Sequence, residues 1–220
     1  MEESLDNPRR ITEIQTDRED PLFRQQPGTM GVVDRRKTDT RTLFLAGMTG
    51  MLFETLDADQ LVINVVTKAN AELGSWAIID SLDDAGAVHR LAVIHPDPAV
   101  ETLGRELRQR YPPVPTDIFG VHRIMKTQQP ELVREIADET MHSENADRRQ
   151  TGLLQALGFS SLMIVPLKGR DRLLGAITFM GAEDHHRFTP KDLLFAEDLA
   201  GRVAMAMDNA RLHHEAKSAR

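Results

Sequence analysis

Eight histidines and no cysteine decide what chemistry this 220-residue chain can offer. Without a thiol there is no structural disulfide, no thiolate zinc site, no cysteine nucleophile and no cofactor held through sulfur. Haem needs only one axial histidine, and His95, His122 and His142 are the candidates; the plainer reading of each is a surface or capping side chain. His185-His186 and His213-His214 are adjacent pairs. Their rings diverge on a strand or a helix alike, so one ion cannot readily use both. Ser160-Ser161 lacks the glycine-flanked elbow that exposes a nucleophilic serine, and no Gly-rich loop with a lysine is present to cradle phosphate. The chemistry available therefore points to binding, with no catalytic and no metal-ligating residue expected. Trp76 and Tyr111, the only tryptophan and tyrosine, are the aromatic groups with a polar handle that suit a small-ligand pocket. Trp76 is equally suited to plug a core between sheet and helices.

The composition narrows the classes further. With 34 acidic against 27 basic residues the net charge is −7, which argues against a nucleic-acid partner. Hydrophobic residues at 40% with 28% charged ones describe a globular chain. The longest nearly unbroken apolar stretch, Leu43 to Phe53, is far short of the ~20 residues a spanning helix needs. The expectation is a soluble, cytoplasmic chain without a membrane partner. Residues 1–38, with Pro8, Pro21, Pro27 and mixed charges, read as a flexible or partner-ordered tail, and 39–220 as the folded domain.

Within that domain the apolar spacing predicts the elements. Leu45, Met48, Leu52 and Leu56 make one helical stripe; Asp57, with Gln60 as capping partner, opens a second helix whose buried face is Leu61, Val65, Ala69 and Leu73. Trp76 to Leu82 and Val88 to Ile94 flank Asp83-Asp84-Ala85-Gly86 as an antiparallel hairpin. Pro98 to Arg110 is a helix capped by Asp97, and Pro112, Pro113 and Pro115 confine the segment after it to a loop. A short helix at 121–127, a short strand at 131–136 and a helix ending at Leu157-Gly158 come next. Ser161 to Leu167 and Leu173 to Met180 form a second hairpin, apolar on both faces, which requires helices on both sides. Thr189-Pro190-Lys191-Asp192 opens the last helix, which runs unbroken except for Gly201 to about Ala216.

Read in order, these stretches resemble a GAF domain of the kind found in bacterial sensor histidine kinases and sigma-factor-regulating phosphatases. The matching segments include Trp76-Ala77-Ile78-Ile79-Asp80, His95-Pro96-Asp97-Pro98, Arg110-Tyr111-Pro112-Pro113, Leu157-Gly158-Phe159-Ser160-Ser161, Val165-Pro166-Leu167, Leu174-Gly175-Ala176-Ile177 and Ala206-Met207-Asp208-Asn209-Ala210. The resemblance implies an α+β fold: a three-layer α/β/α arrangement around an antiparallel sheet of about six strands, with the terminal helices on one face. It implies a small ligand beneath loops that roof the other face, where Trp76, Ile78, His95, Tyr111, Phe119, Val121, Leu132 and Met163 are the expected lining residues. A cysteine-linked bilin is excluded, the Asn-Lys…Phe…Asp signature of the cyclic-nucleotide branch has no counterpart here, and the cofactor stays unnamed. The resemblance also implies signalling through terminal helices. Leu45, Met48 and Leu52 of the first helix, with Leu199, Val203, Ala206 and Ala210 of the last, are the expected homodimer interface, coupled to a kinase or phosphatase output domain. The alternatives are that these stripes only cover the domain's own sheet, and that the chain is a ligand-free dimerisation and protein-interaction module.

Overall fold

A computed structural model describes residues 40–47, 57–73, 76–95, 97–115, 119–136, 159–182 and 187–218. Met48, Leu52, Leu56, His142, the helix expected before Gly158 and the His185-His186 pair lie outside the described residues, as does the whole 1–38 segment. The elements run α1 (40–47), α2 (Ala58–Leu73), β1 (Trp76–Leu82), β2 (Val88–Ile94), a 3-10 turn (Pro98–Val100) leading into α3 (Glu101–Arg110), α4 (Val121–Thr127), β3 (Glu131–Val133), β4 (Phe159–Lys168), β5 (Leu173–Ala182) and α5 (Pro190–Ser218). Among the described residues no helix is long and apolar enough to cross a membrane.

Among the described residues five strands form one fully antiparallel sheet in the order β2-β1-β5-β4-β3, close to the expected sheet of about six. The β1–β2 turn closes because Asp83 Oδ1 accepts the Ala85 and Ala87 N–H groups at 2.9 and 2.8 Å, an Asx turn that polar composition alone foretold. At the β1–β5 crossing the backbones approach so closely that a Cβ on Gly175 would stand 2.1 Å from the Asp80 carbonyl oxygen. Only glycine fits there.

Alternation along each strand divides the side chains between two faces. Ala77, Ile79, Met163, Val165, Ile177 and Phe179 pack on α2 (Leu61, Val62, Val65, Val66, Ala69) and α5 (Ala196, Leu199, Val203, Ala204). Trp76, Leu162, Ile164, Ala176 and Met180 pack beneath α3 and α4 with Leu107, Val121 and Ile124. Each fully buried aliphatic side chain in these layers contributes about 1.5–3 kcal/mol.

Helix capping follows the sequence at three sites. Asp57 Oδ1 accepts the Asp59 and Gln60 N–H groups, while the Gln60 amide donates forward to Asn64 at 2.9 Å. Asp97 Oδ1 caps Ala99 N–H at 2.9 Å. Thr189 and Asp192 complete a reciprocal box: Asp192 Oδ2 accepts from Thr189 N–H and Oγ1–H, both at 2.7 Å, and Asp192 N–H donates to Thr189 Oγ1 at 3.3 Å.

The expected interface on α5 needs correction. Leu199 and Val203 are 0% exposed in the helix-side core, and Ala206 packs against the same core half-buried. Leu199 and Val203 are therefore not free to meet a neighbour, whereas Ala206 keeps part of its surface exposed. Ala210 and Leu45 are half-buried, Leu45 against that core. The outward face of α5 instead carries Leu194, Met205 and Leu212, at 58%, 62% and 39% exposure.

Helix α1 lies along α5. Arg41 pairs with Asp192 at 2.7 Å and sits 5.1 Å above the Phe195 ring; Phe44 meets Phe195 with ring centroids 6.2 Å apart; Arg202 donates to the Leu45 carbonyl at 3.3 Å. The carboxylate that caps α5 is thus also the group that fastens α1.

Candidate functional site

The sheltered face under α3 and α4 is where the sequence placed its ligand residues. Helix α3 reaches β2 closely: a Cβ on Gly104 would lie 2.8 Å from the Val93 carbonyl oxygen and 3.7 Å from the Trp76 ring. Trp76 fills the space left there. Its ring centroid lies 4.7 Å from that of His95, the planes tilted by 47°, and it meets Phe159 edge-on at 6.3 Å. His95 Nδ1 accepts the Asp97 N–H at 3.0 Å, so the imidazole supports the start of the 3-10 turn. Both residues follow the plainer reading: Trp76 as core plug, His95 as capping side chain. His122 is half-buried on α4.

Six of the eight expected lining residues share this neighbourhood. Trp76 and Val121 are buried in its cluster; Ile78, Tyr111 and Phe119 are half-buried against it, and the His95 ring lies against Trp76. Leu132 and Met163 do not belong to it. They are register partners, and both pack into the opposite core with α2 and α5. The strand period of two explains the error: if Leu162 and Ile164 face α4, Met163 between them must face away.

Two buried ion pairs on this face were not anticipated. The first joins partners in register across β1 and β2. Arg90 holds Asp80 through Nε and a terminal nitrogen at 2.8 and 3.2 Å, with side chains 13% and 2% exposed. The same guanidinium donates to the Tyr111 carbonyl, and Arg108 Nε donates back to the Arg90 carbonyl at 3.0 Å. This network pins the end of α3 to the sheet. The second joins α4 to β3: Arg123 Nε donates to Glu131 Oε2 at 2.7 Å, and the Glu131 side chain is 6% exposed. Burial pushes the Glu131 carboxyl above its ordinary value, and the opposing pull of Arg123 does not cancel it. A signal for both existed in the sequence. Asp80 alternates with Trp76, Ile78 and Leu82, and Glu131 with Val133, so parity put both carboxylates on the sheltered face.

Together these features define a mixed α/β domain with one antiparallel sheet between two helical layers and two guanidinium–carboxylate pairs on its sheltered face. The chain belongs to the GAF family: the family model described as "GAF domain" matches residues 44–207, well over half of its length. No curated protein sequence matches it. Among solved structures, it is similar to the GAF domain/HD domain protein from Geobacter sulfurreducens, at 17% identity and TM-score 0.55, covering 76% of this chain and 98% of that one. It is similar to a phycocyanobilin-bound GAF domain from a cyanobacterial phytochrome, at 15% identity and TM-score 0.55, covering 79% and 97%. A methyl-accepting chemotaxis protein, residues 122 to 287, matches at 13% identity and TM-score 0.57, covering 76% and 98%. At these identities the likeness is one of fold. GAF domains are sensory and regulatory modules, generally without catalytic activity of their own.

Proposed function

We propose that this chain is a non-catalytic sensor of bacterial signal transduction acting in the cytoplasm. A small molecule binds on the sheltered face, and the response leaves through α1 and α5 to a kinase or phosphatase output domain, in cis or in trans. The observation that carries this reading is the arrangement of the two helices. Helix α5 has 29 residues, about 43 Å at 1.5 Å per residue, and its last residue in the sheet core is Met207. Asp208, 4% exposed, still accepts the Arg170 N–H of the β4–β5 turn, and the helix runs on beyond it to Ser218. Helix α1 is fastened to α5 through Asp192, Phe195 and Arg202, so a change in the packing of α5 on the sheet is felt by both helices at once. The mechanism is a population shift between two packings of α1 on α5. The outward stripe of Leu194, Met205 and Leu212 supplies the surface for a second copy. Light scattering at micromolar concentration tests this: a dimer is expected, with Met205→Glu reducing it to a monomer. A monomeric wild-type chain refutes signalling through a homodimer.

A second reading is favoured by one observation. Val121, Ile124, Leu162 and Ile164 are all at most 1% exposed, so the centre of the sheltered face is packed with the protein's own side chains. On that reading the domain is a ligand-free dimerisation and interaction module. Native mass spectrometry after exposure to metabolite extracts separates the two, since a sensor retains a bound species and a plain module none.

A further inference from the structure

One row of register partners crosses the sheltered face: Val93, Ile78, Thr178, Ile164 and Glu131, on β2, β1, β5, β4 and β3 in turn. Glu131 ends that row with one oxygen engaged and one idle. Oε2 takes the Arg123 Nε–H at 2.7 Å, whereas Oε1 is fully buried and has no hydrogen-bond partner among the described residues. A buried acceptor without a donor is rare enough in folded proteins to need an explanation. The terminal nitrogens of Arg123 likewise make no hydrogen bond among the described residues, and its side chain is 33% exposed. Thr178, 5% exposed, is the other polar side chain on the row. It stands two strands from Glu131, about 9.5 Å at ordinary strand spacing, with Ile164 between them as an apolar floor.

We propose that Glu131 and Arg123 recognise an uncharged planar ring with a lactam or amide edge, whose N–H reaches Glu131 Oε1 and whose carbonyl reaches an Arg123 terminal nitrogen. Charge, hydrogen bonding and shape each narrow the class. The pair is already electrically neutral, so a cationic ligand would leave a net buried charge and an anionic one would face the Glu131 carboxylate. An idle acceptor beside idle donors is complementary to adjacent N–H and C=O groups. Ile164, 0% exposed beneath α4, and the apolar residues Val133 and Phe119 of the same cluster offer a floor to a flat apolar body only when α4 gives way, and the distance to Thr178 suits one or two fused rings. Helix α4 is the element that would yield: it has seven residues and begins at Gly120 without a side-chain cap. Because Arg123 lies on α4, the ligand would fix that helix relative to the sheet.

This assignment rests on the sensor reading for the existence of a ligand, and the test keeps the two apart. The full chain, labelled for amide NMR, is titrated with 2-pyridone, N-methyl-2-pyridone and benzamidine. The expected result is saturable shifts at residues 121–133 with 2-pyridone, and at least about tenfold weaker binding of the N-methylated compound and of the cation, because a site built around a hydrogen bond rejects what cannot make it. Glu131→Gln is expected to lose the preference: its oxygen serves Arg123 and its NH2 opposes the ligand N–H. Equal binding of 2-pyridone and N-methyl-2-pyridone to the wild-type chain overturns the assignment while leaving a ligand-binding sensor intact. Shifts confined to other residues do the same. Absence of any saturable shift overturns the assignment, with Oε1 then served by water, and leaves the helix-signalling reading to the dimer measurement.

Discussion

Replacing Asp192 by Asn removes one negative charge from the point where α1, the cap of α5 and the helix-side core converge. The wild-type Oδ1 pairs with Arg41 at 2.7 Å, the two side chains being 2% and 14% exposed, and Oδ2 takes two 2.7 Å hydrogen bonds from Thr189. A hydrogen bond to a charged partner contributes about 1.5–3 kcal/mol, and an N-cap about 1 kcal/mol. Asparagine keeps one acceptor for the cap, so the expected loss is about 2–3 kcal/mol, or about 5–10 °C in Tm for a chain of this size. Burial by itself raises the Asp192 carboxyl, but the Thr189 hydrogen bonds and the Arg41 guanidinium outweigh it and hold the group below its ordinary 3.8. For a carboxyl with a lowered folded value, the stabilisation is complete above the unfolded value and disappears as pH falls through the folded one. Scanning calorimetry should therefore find the gap between wild type and Asp192→Asn widest near neutrality and closing below about pH 4. Combined with Arg41→Met, the double variant should be more stable than the additive expectation by about 1 kcal/mol. Additive losses, or a gap that persists unchanged in acid, refute the coupling of cap and α1 through one carboxylate.

Other substitutions probe the packing of the sheet and of α5. Gly175→Ala forces a Cβ to 2.1 Å from the Asp80 carbonyl oxygen; a loss of at least about 1–3 kcal/mol is expected by chemical denaturation, and an unchanged midpoint would contradict the close β1–β5 approach. Arg90→Met strands the Asp80 carboxylate, 2% exposed, without its partner. It should cost about 3–5 kcal/mol and speed proteolysis around Tyr111, whose carbonyl loses its donor. Leu199→Ala, in the core at 0% exposure, should lose about 2–5 kcal/mol. Met205→Glu, at 62% exposure, should leave stability within about 0.5 kcal/mol of wild type once monomeric; the reverse order would mean that the two faces of α5 are misassigned.

Much of the architecture could be read from the chain because its signals are local. The Asp83–Gly86 turn, the Asp97 cap and the Thr189–Asp192 box each depend on residues within four positions of one another, and each forms as the spacing required. What could not be read was which surface meets a given stripe. Ala196, Leu199 and Val203 repeat as a dimer seam would, yet an identical repeat serves a helix lying on its own sheet, and only the packing of β4 and β5 against α5 decides. Leu132 and Met163 fail for a different reason. Their apolar character was right, but a two-residue period gives no room for error in phase. The ion pairs Asp80–Arg90 and Arg123–Glu131 escaped because each partner, taken alone, reads as a solvated charge; the pairing appears only when β1 is set against β2 and α4 is brought over β3.

The two faces of the sheet are consequently built for different tasks. On the helix side, sheet residues are aliphatic or aromatic almost throughout, α2 and α5 close over them, and the buried Arg41–Asp192 pair ties α1 to the start of α5. On the other side, two guanidinium–carboxylate pairs stand at opposite ends of the sheet, at β1–β2 and at β3, each tying a short helix or its trailing loop to a strand. Charged pairs in such places add little net stability compared with apolar residues of the same volume. What they do provide is orientation: Arg90 fixes where α3 ends, and Arg123 fixes where α4 sits. Of the two, the Asp80–Arg90 pair is saturated, with both carboxylate oxygens engaged, while Glu131 is not. A ligand that completes the second pair would set the position of α4 on β4 and β5, and those are the strands that α5 packs against from behind. On the proposed reading, the route from the sheltered face to α5 needs no long pathway. It is the thickness of one sheet.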